Sequence, residues 1–158
     1  MSSVPIPINA TDPNGKSSGL IILVEDDHKL RKLYSDMLRS HGYTVIAAKD
    51  GEEGLSLLFT NIPRLLILDI IMPNMDGIEL CRRAREILGP RIPIIFMTAL
   101  DQLEIVQVCL EAGGDDYIVK GSNLKTIADR VRYWTKIGSS RKAEKHRSTA
   151  LAAVRSEM

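Results

Sequence analysis

The side chains able to do chemistry in this sequence stand directly after apolar runs. LIILV (20–24) leads into Glu25, Asp26 and Asp27, and LLIL (65–68) leads into Asp69. IIFM (94–97) leads into Thr98, and YIV (117–119) leads into Lys120. A carboxylate at the end of a buried strand is costly if left alone. Two or three carboxylates converging on one pocket also repel, and raise one another's pKa. A hard divalent cation relieves that repulsion, and Mg²⁺ takes oxygen ligands while keeping some waters. Lys120 adds a point cation and Thr98 a neutral donor. Metal, ammonium and hydroxyl around a carboxylate nucleophile suit phosphoryl chemistry, where positioning and charge stabilisation dominate. Asp69, between the cation and the lysine, is the natural nucleophile.

The elements that must position these groups alternate. Strands are expected at Leu20–Val24, Tyr43–Ala47, Leu65–Leu68, Ile92–Met97 and Tyr117–Val119. The first helix is expected over 28–41, with Leu30, Leu33, Tyr34, Met37 and Leu38 on one face and Gly42 as its stop. Asp50 and Asp76 can cap helices over 51–60 and up to Gly89, and Asp101 opens one ending at Gly113-Gly114. The last runs from Asn123 to Ile137, with Leu124, Ile127, Ala128, Val131 and Trp134 facing inward. Strands apolar on both faces belong in a parallel sheet covered by helices, an α/β fold. Ligands of such sheets bind beyond the carboxyl ends of the strands, where the polar groups above lie.

Length and charge bound the rest. At 158 residues, 26% charged and net +1, the chain suits one soluble globular domain. The near-neutral balance gives no argument for a nucleic-acid or membrane surface binder. No signal peptide or membrane span is expected, since Asp69 and Pro73 break the longest apolar stretch. Cys81 and Cys109 read as small core or interface residues in a reducing compartment, the cytoplasm. Residues 1–18 (MSSVPIPINATDPNGKSS) read as a flexible leader. Residues 138–158 carry five Lys or Arg against two Glu and read as a mostly exposed tail, helical or disordered, far too short for a helix-turn-helix output domain.

LIILVEDD (20–27), LLILDIIMPNMDG (65–77), IIFMTA (94–99) and GGDDYIVK (113–120) together resemble the receiver domain of two-component response regulators, in its stand-alone, chemotaxis-regulator-like form. The resemblance covers residues 19–137. It implies a flavodoxin-like (βα)5 doubly wound parallel sheet with strand order 2-1-3-4-5. It implies that Asp69 accepts a phosphoryl group from a phosphohistidine on a sensor histidine kinase or histidine phosphotransfer protein. Glu25 and Asp26, with Asp69 and the backbone carbonyl of Ile71, would hold Mg²⁺ or Mn²⁺. Thr98, Ala99 and Lys120 would bind the phosphoryl oxygens, and Tyr117 would swing inward as Thr98 moves. Self-phosphorylation and autodephosphorylation would be the only catalysis. The output would be a changed surface of the fourth helix, fifth strand and fifth helix that controls a downstream protein. A second copy of the chain is a further candidate partner; neither direct DNA binding nor membrane binding is expected. The sequence departs from the family at Gly121, where a proline in a cis peptide usually follows the lysine. A cis bond without proline costs about 2.5–4 kcal/mol. The expectation is therefore a trans Lys120–Gly121 bond and a looser loop.

Other classes fit less well. An aspartate-nucleophile phosphatase of the haloacid-dehalogenase type wants Asp-x-Asp, but the residue two after Asp69 is Ile71. A pseudo-receiver that binds without being phosphorylated would be expected to lack an acid, the acceptor or the lysine; only Gly121 favours it. No glycine-rich nucleotide loop follows any strand. Asp27 reads as a helix-start acid, His28 and His41 as solvent-facing helix residues, and Asp115-Asp116 as a turn. The helix after Asp101, with Leu103, Ile105, Val106, Val108, Cys109 and Leu110, is either a binding surface or a wide buried face.

Overall fold

The computed structural model describes residues 19–138, and the expectations for 1–18 and for the tail beyond Gly138 lie outside them. In chain order the elements are β1 (Leu20–Val24), α1 (His28–Ser40), β2 (Thr44–Ala48), α2 (Gly51–Leu58), β3 (Leu65–Leu68), α3 (Gly77–Leu88), β4 (Ile94–Thr98), α4 (Leu103–Glu111), β5 (Asp116–Val119) and α5 (Leu124–Ile137). The strands form one parallel sheet in the order β2-β1-β3-β4-β5. This is the flavodoxin-like doubly wound α/β fold.

The sheet splits the apolar residues by parity, because successive strand side chains face opposite ways. Ile21, Leu23, Leu65, Ile67, Ile95 and Met97 pack with α1 and α5 through Tyr34, Leu38, Val131 and Trp134. Ile22, Val24, Leu66, Leu68, Ile94 and Phe96 pack with α2, α3 and α4 through Leu58, Leu80, Cys81 and Cys109. With a core on each face, no position in the central strands can be polar until the strand ends. That places the first affordable carboxylate just past Val24 and just past Leu68.

Aspartates start three helices. Asp27, Asp50 and Asp76 accept from the backbone N–H of Leu30, Glu53 and Glu79 at 3.0, 2.8 and 2.9 Å, satisfying donors the first helical turn leaves open. Asp101 does not do the same for α4, which begins two residues later behind Gln102 with no side-chain cap. Two apolar residues expected inside are outside: Leu33 is 45% and Leu124 39% exposed. Leu33 lies at the edge of the buried arc of α1, and Ser35, on the other side, is covered instead. Leu124 sits in the first turn of α5, beyond the last strand's cover. In α4 only Cys109 and Leu110 are buried and Val108 is 37% exposed, so most of its apolar side is not core.

Asp115 and Asp116 are not simple turn residues. Asp115 is fully buried and accepts from the Ile94 N–H and from Arg85 Nη2, each at 2.8 Å. The same guanidinium reaches the carbonyls of Gly113, Gly89 and Ile92. One buried ion pair thus ties the end of α3 to the start of β4 and to the loop entering β5. Removing one member of such a pair strands the other. Asp115→Ala should lower unfolding stability by about 3–5 kcal/mol, read by chemical denaturation; a change under about 1 kcal/mol would mean the pair is solvated.

Candidate functional site

The ladder sets the site's backbone. The Glu25 N–H donates to Ala48 O and the Asp69 N–H to Val24 O, each at 3.0 Å, and the Lys120 N–H donates to Thr98 O at 2.8 Å. Each chemical residue therefore takes the next rung after its strand. Asp69 is held further by its own turn: its Oδ1 accepts from the Ile70 N–H at 2.7 Å. The chain then meets the first turn of α3, where the Gly77 N–H donates to Ile70 O at 2.8 Å. A β-carbon at Gly77 would lie 1.9 Å from the Asp69 carbonyl oxygen, so only glycine lets α3 approach the acceptor this closely.

Glu25, Asp26 and Asp69 each offer a carboxylate oxygen, all within 4.8 Å of one another. Asp26 is exposed, while Glu25 and Asp69 are 2% and 5% exposed. Lys120 Nζ joins the two buried acids, at 2.6 Å from Glu25 Oε1, 2.9 Å from Glu25 Oε2 and 2.7 Å from Asp69 Oδ2. Three hard oxygen donors this close, one of them open to water, suit a divalent cation such as Mg²⁺. Asp27 stands outside this group as the cap of α1.

The remaining expected residues surround the cluster. Thr98 is 1% exposed at the end of β4, and its Oγ1 accepts from the Leu100 N–H at 3.4 Å. Ala99 and Ile71 are exposed beside it and beside Asp69. Among the described residues no hydrogen bond joins the Thr98 hydroxyl to Asp69 or Lys120. Tyr117 packs against the core on the α3–α4 side, and its hydroxyl is buried without a hydrogen-bond partner in the protein. Burial, with the nearby Cys109 and Asp101, pushes that phenol up to about 12. His28, in the first turn of α1, and His41, just past its end, are both exposed.

The Lys120–Gly121 peptide is trans, as is every described peptide bond. Gly121 takes φ +89°, a left-handed value that favours glycine. The loop is pinned on either side: Lys120 N–H to Thr98 O, and the Ser122 N–H and hydroxyl to Val119 O at 3.2 and 2.6 Å. Lys120 reaches both acids without proline behind it.

Sequence inspection missed two supports. Arg31, in the first turn of α1, reaches back to the carbonyls of Glu25 and Asp26. Asp116 accepts from Arg130 through both oxygens, from Trp134 Nε1 at 2.9 Å and from the Tyr117 N–H at 2.8 Å. The second spans 14 to 18 residues and leaves no local pattern. The first carried a signal, an arginine six positions after an acid at a strand end.

Residues 21–132 match the response regulator receiver domain family, and the chain belongs to it. It is 38% identical over 112 residues to the probable transcriptional regulator ycf27 of Guillardia theta, covering 71% of this chain and 43% of that one. It is 36% identical over 139 residues to the transcriptional regulatory protein AfsQ1 of Streptomyces coelicolor, covering 87% of this chain and 60% of that one. A solved CheY-like receiver domain protein of Methanospirillum hungatei superposes with a TM-score of 0.71 at 29% identity, over 80% of this chain and 96% of its own. The chain thus spans about half the length of the curated relatives it matches.

One expectation falls here. Direct DNA binding was excluded on net charge and on a tail too short for an output domain. Both curated relatives are by name regulators of transcription, and both extend well beyond the matched region. Charge averaged over a receiver carries no information about a nucleic-acid surface elsewhere in such a protein. No described helix is long and apolar enough to cross a membrane.

Glu25 gives the site a pH signature. Burial pushes its carboxyl up to about 7, aided by Asp69 and opposed by the hydrogen bonds to Lys120. Burial disfavours the Lys120 ammonium, but its bonds to Asp69 and Glu25 outweigh that and raise its pKa. Between the ordinary 4.5 and about 7 the folded chain holds a proton that the unfolded chain has lost. Folding stability without metal therefore rises as pH falls through 7 toward 4.5. Glu25→Gln should abolish this dependence and stabilise the metal-free protein by roughly 1–2 kcal/mol at about pH 8, read from thermal melts across pH. An unchanged pH profile would place the titration elsewhere.

Proposed function

We propose that the protein is a phosphoacceptor switch that takes a phosphoryl group onto Asp69. The observation that carries this is the Lys120 ammonium seated between the Asp69 and Glu25 carboxylates, with Asp26 completing a cation-binding trio. The donor is a phosphohistidine on a sensor kinase or phosphotransfer protein. An Asp69 oxygen attacks phosphorus, an O–P bond forms, the P–N bond breaks, and the imidazole leaves and takes up a proton. Mg²⁺ or Mn²⁺, when bound, supplies positive charge for the phosphoryl oxygens and lets the acids stay ionised. Glu25, Asp26 and Asp69 would hold it, with the Ile71 carbonyl. Lys120 turns from Glu25 toward the new anion, and the Thr98 hydroxyl and the backbone at Ala99 supply further donors. Water later hydrolyses the acyl phosphate. The chain turns over no other substrate.

The signal is a population shift rather than a product. Thr98 and Lys120 bracket α4 and β5 in the chain, and Tyr117 lies between them. The half-open apolar side of α4, where Val108 is 37% exposed, together with Val119 of β5 (37%) and Tyr133 of α5 (40%), is the surface that changes and meets a downstream partner.

Purified protein given a small phosphodonor and Mg²⁺ should gain the mass of one phosphoryl group, and Asp69→Asn or metal removal should abolish it. A folded protein that gains none would instead be a binding module with a receiver fold. Hydrogen exchange should change on phosphorylation within 98–120 and α5 while β1 and β3 stay constant. A uniform response, or none there, would remove the role given to that surface.

A further inference from the structure

Arg31 occupies an unusual place beside the acidic pair. Its Nη1 donates to Glu25 O at 2.9 Å and to Asp26 O at 3.2 Å, and its Nη2 lies 3.3 Å from His28 Nδ1. Among the described residues, no ion pair within 4.0 Å joins Arg31 to either carboxylate. The guanidinium therefore grips the backbone that carries the two acids and leaves their side chains to the site. The segment it grips belongs to no regular element: β1 ends at Val24 and α1 begins at His28. Glu25 is anchored on one side by its N–H to Ala48 O, but Asp26 is exposed and has no ladder bond.

We infer that Arg31 is a positioning residue for cation binding, setting the orientation of the Glu25–Asp26 backbone so that both carboxylates face Asp69. The inference rests on the reading of Glu25 and Asp26 as cation ligands. Two effects of Arg31 oppose one another. Its positive charge repels a nearby divalent cation, while its two hydrogen bonds fix the ligands' backbone. Exposed charges near water interact weakly and are screened. Groups that orient metal ligands from behind typically carry a tenfold or larger share of affinity. Orientation wins, so loss of Arg31 weakens binding despite removing a repulsive charge. Both backbone bonds come from one nitrogen, Nη1, so a lysine keeps part of the grip, but its flexible and strongly hydrated ammonium holds it less firmly than the planar guanidinium.

The test is Mn²⁺ binding to the full chain by electron paramagnetic resonance, with no phosphodonor present. Arg31→Met should weaken Mn²⁺ binding about tenfold and Arg31→Lys by less, with thermal midpoints in metal-free buffer close to the parent's. The phosphorylation rate of Arg31→Met should recover at saturating Mg²⁺, so the apparent KM for Mg²⁺ rises while the maximal rate holds. Equal or tighter Mn²⁺ binding by Arg31→Met would overturn the inference, as would a maximal rate that stays low. If Arg31→Met does not fold, Arg31→Lys decides alone, and parental affinity in it overturns the inference. Failure of the parent chain to bind Mn²⁺ would overturn the reading of the site itself, and the inference with it.

Discussion

A single ammonium group reconciles two buried carboxylates at the edge of the sheet. Without Lys120, Glu25 and Asp69 would face each other in a place that water scarcely reaches. Repulsion of that kind has to be settled by protonation, by a cation or by unfolding. Burial, more than Asp69, keeps the Glu25 carboxyl above its ordinary range even with the lysine in place. The acids remain poised for more positive charge than the chain itself supplies. Much else in the fold follows from holding three strand ends in that relation. β1 and β3 must be neighbours, which the chain achieves by crossing back past β1 after β2, and β5 must lie beyond β4. Gly77 must be bare for α3 to close over the acceptor.

Much of this was legible in one sequence because the sheet is covered on both faces. The strands are then unbroken apolar runs, and their ends are marked by the first polar residue. That is why β1 and β3 fall at Leu20–Val24 and Leu65–Leu68, as read from the chain, and why Glu25, Asp69, Thr98 and Lys120 stand out. Helix faces were less legible. Leu33 and Ser35 lie on opposite sides of the buried arc of α1, and which one is covered depends on neighbours the local pattern does not contain. The start of α4 was misplaced because Asp101 looks like a cap and the helix begins without one.

Long-range polar ties were invisible for a different reason. Arg85 and Asp115 are 30 residues apart, and nothing local to either names the other. Asp116 and Trp134 are 18 apart. Such pairs are chosen by the closed topology, after the strands are already in order. The site residues were readable because each belongs to its own strand end. The groups that brace them belong to the fold as a whole.

The buried hydroxyl of Tyr117 has its own consequence. A phenol oxygen without a partner forfeits the hydrogen bond it had with water, about 1–3 kcal/mol. The ring's contacts with the core on the α3–α4 side pull it in while that oxygen pulls it out. Phenylalanine at the same place would feel only the inward pull. Tyrosine therefore holds this ring position less firmly than phenylalanine would, by about the worth of one unmade hydrogen bond.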